Sequence, residues 1–276
     1  MRLYLKTKDY LVSKEEFNLL WDEKRDMLIT DPQPKPIESY YEADNYISHS
    51  DADKSFLGQI YYQVKKINLN HKARLIEKLT LGRKEILDIG AGTGSFLLKM
   101  KKQGWQVSGI EPNLKAKTIA GKKGIRIYSQ LEELEGRKFS VITLWHVLEH
   151  IPDPEEAVAK IAALMDQNGI VVVAVPNFNS FDAHHYKEFW AAFDVPRHLS
   201  HFSKKAIAAI FGTYGFKIKV IKPMLFDSFY ISLLSEKYKY GKENYFKSFF
   251  MGLRSNLSGL KTGEYSSMLY VLEKAD

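Results

Sequence analysis

From Lys84 onward, short apolar runs alternate with amphipathic stretches. Glu85–Ile89, Gln106–Ile110, Ile125–Tyr128, Phe139–Leu144 and Ile170–Val175 have strand length and are rich in β-branched residues and leucine. Between them, Ser95–Gln103, Leu114–Lys123 and Pro154–Met165 repeat their apolar positions at helical spacing. Strands alternating with helices predict a parallel sheet covered on both faces. Phe216–Ile221 and Ser267–Leu272 read as two later strands, the second being the last ordered element before a charged terminus. Two segments interrupt the scheme: Phe178–Phe202, rich in His, aromatics and Asp, and Leu225–Glu264, rich in Tyr, Phe and Lys.

The first 80 residues have a different texture. Ser13-Lys-Glu-Glu16 predicts a helix start, with Ser13 as N-cap and Glu16 three residues on. Asp31-Pro-Gln-Pro-Lys-Pro36 predicts a rigid, non-helical linker. Asp51–Leu81 predicts a long amphipathic helix, with Phe56, Ile60, Val64, Ile67 and Leu75 near helical spacing. The expected organisation is a helical N-terminal extension over 1–80, then one α/β domain over 81–276 with insertions at 178–202 and 225–264. No internal repeat is visible.

Composition narrows the chemistry. With 276 residues, 45% hydrophobic and 26% charged, the chain can bury one sizeable core. Forty Lys and Arg against 33 Asp and Glu leave +7, which suits either a solvated basic surface or an anionic ligand, substrate or membrane face. The absence of cysteine excludes disulfides, thiolate-ligated zinc or iron–sulfur clusters, and thiol nucleophiles, and fits a reducing cytoplasm. The N-terminus has no apolar signal core, and the longest clean apolar run, Gly169–Val175, is far short of a membrane span. A cytoplasmic location is the expectation.

The strongest motif is Ile86-Leu-Asp-Ile-Gly-Ala-Gly-Thr-Gly-Ser-Phe-Leu97. A strand runs into Gly90, Gly92 and Gly94, and a helix begins near Ser95. Alternate glycines let a ligand lie against bare main chain, and the helix N-terminus offers free N–H groups. A dinucleotide fingerprint needs G-x-G-x-x-G, whereas here the third glycine falls one residue early. Asp88, two residues before Gly90, would repel a pyrophosphate but suits a ligand carrying an ammonium group. Glu111, at the end of the second strand, is placed to accept hydrogen bonds from ribose hydroxyls. Pro112 stops that strand and can line an adenine pocket. Ser129 and Gln130, ending the third strand, border the same place.

These motifs, with Phe139-Ser-Val-Ile-Thr-Leu-Trp-His-Val-Leu-Glu-His-Ile-Pro152 and Val175-Pro-Asn177, resemble the core of class I S-adenosylmethionine-dependent methyltransferases over residues 84–176. Trp190 with Val195-Pro-Arg-His-Leu-Ser-His-Phe202 extends the resemblance to a bacterial subgroup related to ubiquinone-biosynthesis-type O-methyltransferases. It implies a doubly wound, Rossmann-like seven-stranded sheet, mostly parallel, with an antiparallel last strand at Ser267–Leu272. The implied cofactor is S-adenosylmethionine, held by Asp88, Gly90, Ala91, Gly92, Thr93, Gly94, Glu111, Pro112, Ser129 and Gln130. Leu144, Trp145 and His146 would lie beside its sulfonium and adenine, and Tyr41 and Tyr46 in an N-terminal segment folded over it. That segment, Tyr40–Tyr46, is equally read as packing beneath the first long helix. Ser140 departs from the family's usual Asp, with little effect expected on the cofactor.

His146-Val-Leu-Glu-His150 also matches H-x-x-E-H, but a zinc site of that type needs one continuous helix, and Pro152 and Pro154 follow at once. No metal is expected. His146 is a candidate general base or positioning group, and Glu149 and His150 candidate braces for the loop. The insertion at 178–202 reads as a substrate lid with Trp190 and Phe193 as walls and Arg197 and His198 as polar readers, His198 also as a candidate catalytic group. The alternative is a packed loop in which Arg197 pairs with Asp194. The N-P-P-[YFW] tetrapeptide of base methylation is replaced by Leu144-Trp-His-Val, which argues against a nucleic-acid partner. A small-molecule or lipid- or sugar-linked acceptor remains, methylated at oxygen or nitrogen. A non-catalytic S-adenosylmethionine-binding protein and a nicotinamide-dependent oxidoreductase are the rival readings.

Overall fold

A computed structural model describes residues 1–35, 37–41, 56–80 and 82–275. The chain opens with three strands, β1 (Arg2–Lys8), β2 (Glu16–Asp22) and β3 (Met27–Asp31), then a 3-10 turn at Glu38–Tyr41 and the long helix α1 (Phe56–Leu79). The helix expected to start at Ser13 does not form. Asp9 gathers the backbone N–H groups of Leu11, Val12 and Ser13 into a tight turn instead. Phe17 and Leu19 then alternate inward, a period-2 pattern that places Glu16 in β2. The N-terminal extension therefore opens with a β-meander over Arg2–Asp31, and the long helix follows it. Among the described side chains of α1 the buried positions are Ala73 and Ile76, while Ile67, expected on the apolar face, is exposed. Residues 51–55, Leu81, Pro36 and Tyr46 lie outside the described residues, as do the side chains of Phe56, Ile60 and Val64.

The α/β unit follows: β4 (Glu85–Ile89), α2 (Ser95–Lys102), β5 (Gln106–Ile110), α3 (Leu114–Lys122), β6 (Arg126–Tyr128), β7 (Phe139–Trp145), α4 (Pro154–Leu164) and β8 (Met165–Pro176). Then come α5 (Phe181–Tyr186), β9 (Ser200–Phe202), α6 (Lys204–Thr213), β10 (Phe216–Pro223), α7 (Asp227–Tyr240), α8 (Tyr245–Thr262) and β11 (Ser267–Lys274). The large sheet has the order β10-β11-β8-β7-β4-β5-β6, with β11 antiparallel to both neighbours and the β6-to-β8 stretch parallel. This is the seven-stranded arrangement expected from the sequence. Its central strand β7 is buried along most of its length because helices cover both faces. One core cluster centres on Leu87, Ile142, Val171 and Phe211, and the opposite one on Ile86, Leu97, Val141 and Val172. Ser140 caps the β7–β4 junction, its hydroxyl contacting the Arg83 and Glu85 carbonyls.

A second, four-stranded sheet runs β1-β2-β3-β9. Its last strand comes from the insertion after β8, and Met27, Leu28 and Ile29 pair with Phe202, His201 and Ser200. A third apolar cluster, including Phe17, Leu28, Phe178, Trp190 and Phe193, packs this sheet against α7 and α8. No helix of the described residues is long and apolar enough to cross a membrane.

Candidate functional site

The carboxyl edge of the parallel strands is built around the turn from β4 to α2. Gly90, Gly92 and Gly94 have φ of 70°, 51° and 71°, a region that side chains disfavour. The Ala91 N–H donates to Ile110 O at 2.9 Å and the Gly94 N–H to Ala91 O at 2.9 Å, which pins the loop to β5 and to itself. A Cβ on Gly90 would strike Val147, but one on Gly92 would meet nothing within 4 Å. Gly92 thus bares the main chain toward open space, and Thr93 follows it at the rim.

Two carboxylates lie by that turn, Glu111 in direct contact with Gly92 and Asp88 buried on the strand that leads into it. Glu111, just past β5, accepts the Gly92 N–H at 2.8 Å through Oε2 and the Asn113 N–H at 2.9 Å through Oε1. Pro112 follows, and Asn113 caps α3. Asp88, on β4, is buried, and its Oδ1 accepts from the Thr143 hydroxyl at 2.6 Å. Burial pushes the Asp88 carboxyl up to about 7, against the opposing effects of Thr143 and the Lys72 ammonium. Ser129 and Gln130 are exposed at the end of β6. The Ser129 hydroxyl accepts from Lys117 at 2.7 Å, and Gln130 starts a 3-10 turn. Leu144 is fully buried within the core rather than facing the open space. Trp145 stands edge-on to Phe96 and carries the Lys72 ammonium 4.3 Å from its ring centroid.

His146 ends β7 in a left-handed conformation, φ 58°, a strained state for a non-glycine residue of the kind found at functional sites. Its N–H is tied to Ala174 O at 2.9 Å. Nε2 lies 3.0 Å from Asp227 Oδ2 and Nδ1 3.4 Å from Glu149 Oε1, with the side chain 32% exposed. Burial alone would lower its pKa, but the two carboxylates outweigh it and hold the imidazole up to about 9. Sequence reasoning missed Asp227, Thr143 and Lys72. Asp227 is 81 positions from His146, and only the docking of α7 brings it there.

The expected lid is packed rather than open. Trp190 is buried with Nε1 donating to Asp182 at 2.8 Å. Arg197 is 1% exposed and divides its donors among Asp194, Asp9 and the Tyr40 carbonyl. This is the packed-loop alternative, with Asp9 added from the N-terminal sheet. His198, also buried, points Nδ1 at Ala192 O at 2.9 Å. His150 faces it with ring centroids 4.6 Å apart, and the His150 Nδ1 meets Arg197 O at 3.0 Å and the Tyr41 hydroxyl at 3.1 Å. Tyr41 therefore rests on His150. Glu149, His150 and His198 bring ligand-type atoms within 4.8 Å of one another. Burial and the neighbouring His198 lower His150 to about 4 and His201 to about 3. A separate cavity of about 520 Å³ lies between α5 and α8, lined by Asn179, Phe181, His184, His185, Arg254 and Glu264 among others.

Residues 62–219 match a family model described as a methyltransferase domain, more than half of the chain. Among curated proteins, the ubiquinone biosynthesis O-methyltransferase of Pasteurella multocida is 32% identical over 135 residues, 42% of this chain and 55% of that protein. The one from Coxiella burnetii is 29% identical over 136 residues, 45% of this chain and 58% of that protein. The chain thus spans somewhat over half the length of the curated relatives it matches. Among solved structures, magnesium protoporphyrin IX methyltransferase from Synechocystis, with S-adenosylhomocysteine bound, aligns with a TM-score of 0.54 at 15% identity, covering 80% of this chain and 88% of that one. An S-adenosylmethionine-dependent methyltransferase from Archaeoglobus fulgidus aligns with a TM-score of 0.52 at 18% identity, covering 76% and 94%. At these identities the likeness is one of fold.

Proposed function

Because the chain belongs to the methyltransferase domain family, we propose that it is an S-adenosylmethionine-dependent enzyme that methylates an oxygen of a small-molecule acceptor. The carrying observation is the bare main chain at Gly92, open outward, with Glu111 bonded to its N–H and Asp88 buried on the strand that leads into the turn. Asp88 would hold the ammonium of the cofactor's methionine half. Glu111, with lone pairs beyond the two N–H groups it accepts, would hold the ribose hydroxyls. Pro112, Ser129 and Gln130 border the adenine, and Trp145 the sulfonium. S-adenosylmethionine supplies an electrophilic methyl group; the chain's work is to align an acceptor with it and exclude water.

His146 is the group we assign to the acceptor's proton. With Asp227 and Glu149 raising its basicity, it is a strong base once neutral. Oxygen is favoured because the curated relatives carry O-methyltransferase names. The cavity beside Asn179 follows the end of β8, one strand over from His146, and its His184, His185 and Arg254 suit a polar or anionic portion of an acceptor, including a lipid- or sugar-linked one. Nucleic acid is not among the partners proposed.

Calorimetry tests the reading. S-adenosylhomocysteine should bind with micromolar affinity, roughly −8 kcal/mol, and NADH should not bind. Gly92→Val should abolish that binding while the chain stays folded. NADH binding without S-adenosylhomocysteine binding overturns the assignment. Production of S-adenosylhomocysteine with a true acceptor separates an enzyme from a non-catalytic binder.

A further inference from the structure

Helix α8 is amphipathic in the wrong sense for a helix that only packs. Its buried positions are Ser248, Met251, Gly252, Ser255 and Gly259, mostly small residues. Gly252 is there because a Cβ would come within 3.0 Å of the Phe229 backbone and ring on α7. The bulky apolar side chains point outward: Phe246 is 83% exposed, Phe250 64% and Leu260 72%, with Leu253 and Leu257 between them. Their spacing of four, three, four and three residues makes one continuous stripe. Half-exposed Leu225 and Phe226 lie beside it, since Asn256 donates to the Leu225 carbonyl at 2.9 Å. A contiguous exposed apolar surface of this kind marks an interaction site.

Charge identifies the partner. Lys247, Arg254 and Lys261 recur every seven residues, so they line one flank of the stripe, and α8 contains no acidic residue. Lys247 reaches Glu236 at 3.1 Å and Arg254 stacks on Phe181, which fixes both side chains along that flank. A second copy of the chain docking here by two-fold symmetry would bring cations to cations: α8 itself carries no acid, and among the described residues only Lys247 is already paired, with Glu236 of α7. An anionic bilayer meets both features, since the Phe and Leu side chains enter the acyl boundary while the cations meet headgroups. We propose that α8 is an interfacial helix that docks the protein on anionic lipid membranes. This goes beyond methyl transfer and does not depend on it.

The test uses the full chain and vesicles of defined composition. Co-sedimentation should be strong with vesicles containing phosphatidylglycerol and at least tenfold weaker with phosphatidylcholine alone. Combined substitution Phe246→Ser, Phe250→Ser and Leu257→Ser should cut vesicle binding at least tenfold. These residues lie outside the core, so the melting temperature and S-adenosylhomocysteine affinity should not change. Lys261→Gln should weaken binding to the anionic vesicles alone. Equal binding to both vesicle types, or a wild-type dimer in sedimentation that the triple variant converts to monomer without any vesicle binding, would overturn the proposal.

Discussion

Asp88 offers the sharpest test of the proposed cofactor site, because burial has made its charge conditional. With its carboxyl pushed up to about 7, it is about one-tenth ionised at pH 6 and about nine-tenths at pH 8. A ligand whose ammonium requires the carboxylate should therefore bind about tenfold more tightly at pH 8, ~1.4 kcal/mol. Asp88→Asn keeps an oxygen to accept the Thr143 hydroxyl but removes the charge. It should weaken S-adenosylhomocysteine binding and flatten its pH dependence. Titration of the ligand's own groups appears in both proteins, so the ratio of the two affinities isolates Asp88. Folding carries the opposite sign. An acid whose folded pKa is raised holds its proton more firmly folded than unfolded, so its stabilising contribution is complete below 3.8 and is lost as pH rises through about 7. The full cost of the ionised form is of order 4 kcal/mol, so Asp88→Asn should raise the melting temperature of the unliganded chain at pH 8 by several degrees. Calorimetry at the two pH values, beside thermal melts, reads both effects. Affinity that does not change from pH 6 to pH 8, or a wild-type-to-variant ratio that stays constant, would refute the placement of Asp88 against the ligand's cation.

Glu111→Ala should weaken S-adenosylhomocysteine by about 1–3 kcal/mol, the scale of lost charge-assisted hydrogen bonds, and unchanged affinity in calorimetry would place the ligand elsewhere. Arg197→Met strands Asp9 and Asp194, so it should destabilise by about 3–5 kcal/mol; a thermal melt unchanged from wild type would mean that Arg197 serves something other than this ion-pair network. In the rate profile, log kcat/KM should climb with pH toward about 9 as His146 loses its proton, and Asp227→Asn should move that limb to lower pH. A limb that stays put would take the base role from His146. Trp190→Ala should lower the melting temperature, reflecting a loss of about 3–5 kcal/mol from a filled core position, rather than leave a stable chain with altered acceptor choice.

The α/β unit was legible because its signals are local. Most apolar runs from Glu85 to Val175 have a glycine or proline within a residue or two of one end, and the Asp88–Gly94 motif carries its own geometry. What lies outside that unit was not. Ser13-Lys-Glu-Glu16 satisfies a capping-box pattern, but burial of Phe17 and Leu19 against residues 160 to 180 positions away decides for a strand. Trp190 and Arg197 looked like pocket residues because aromatic and cationic side chains serve pockets and cores alike. Only Asp182 and Asp9, neither adjacent in sequence, settle which. Asp227 escaped notice for the same reason: its meaning is its distance to His146, and that is set by how α7 docks.

The pairing of β3 with β9 makes the N-terminal meander and the post-β8 insertion a single cooperative piece, although Phe202 lies about 175 positions after Met27. The residues matching the methyltransferase family model, 62–219, are therefore not a self-sufficient fragment. Cutting away the first three strands would leave β9 without its partner strand, strip the buried Arg197 of one of its two carboxylates by removing Asp9, and uncover Trp190 and Phe193. Such a truncation would leave β9 as an unpaired strand beside uncovered apolar side chains, a template for aggregation. The part of the chain that looks most like an accessory is a co-translational obligation: the insertion cannot finish folding until the first thirty or so residues have waited for it.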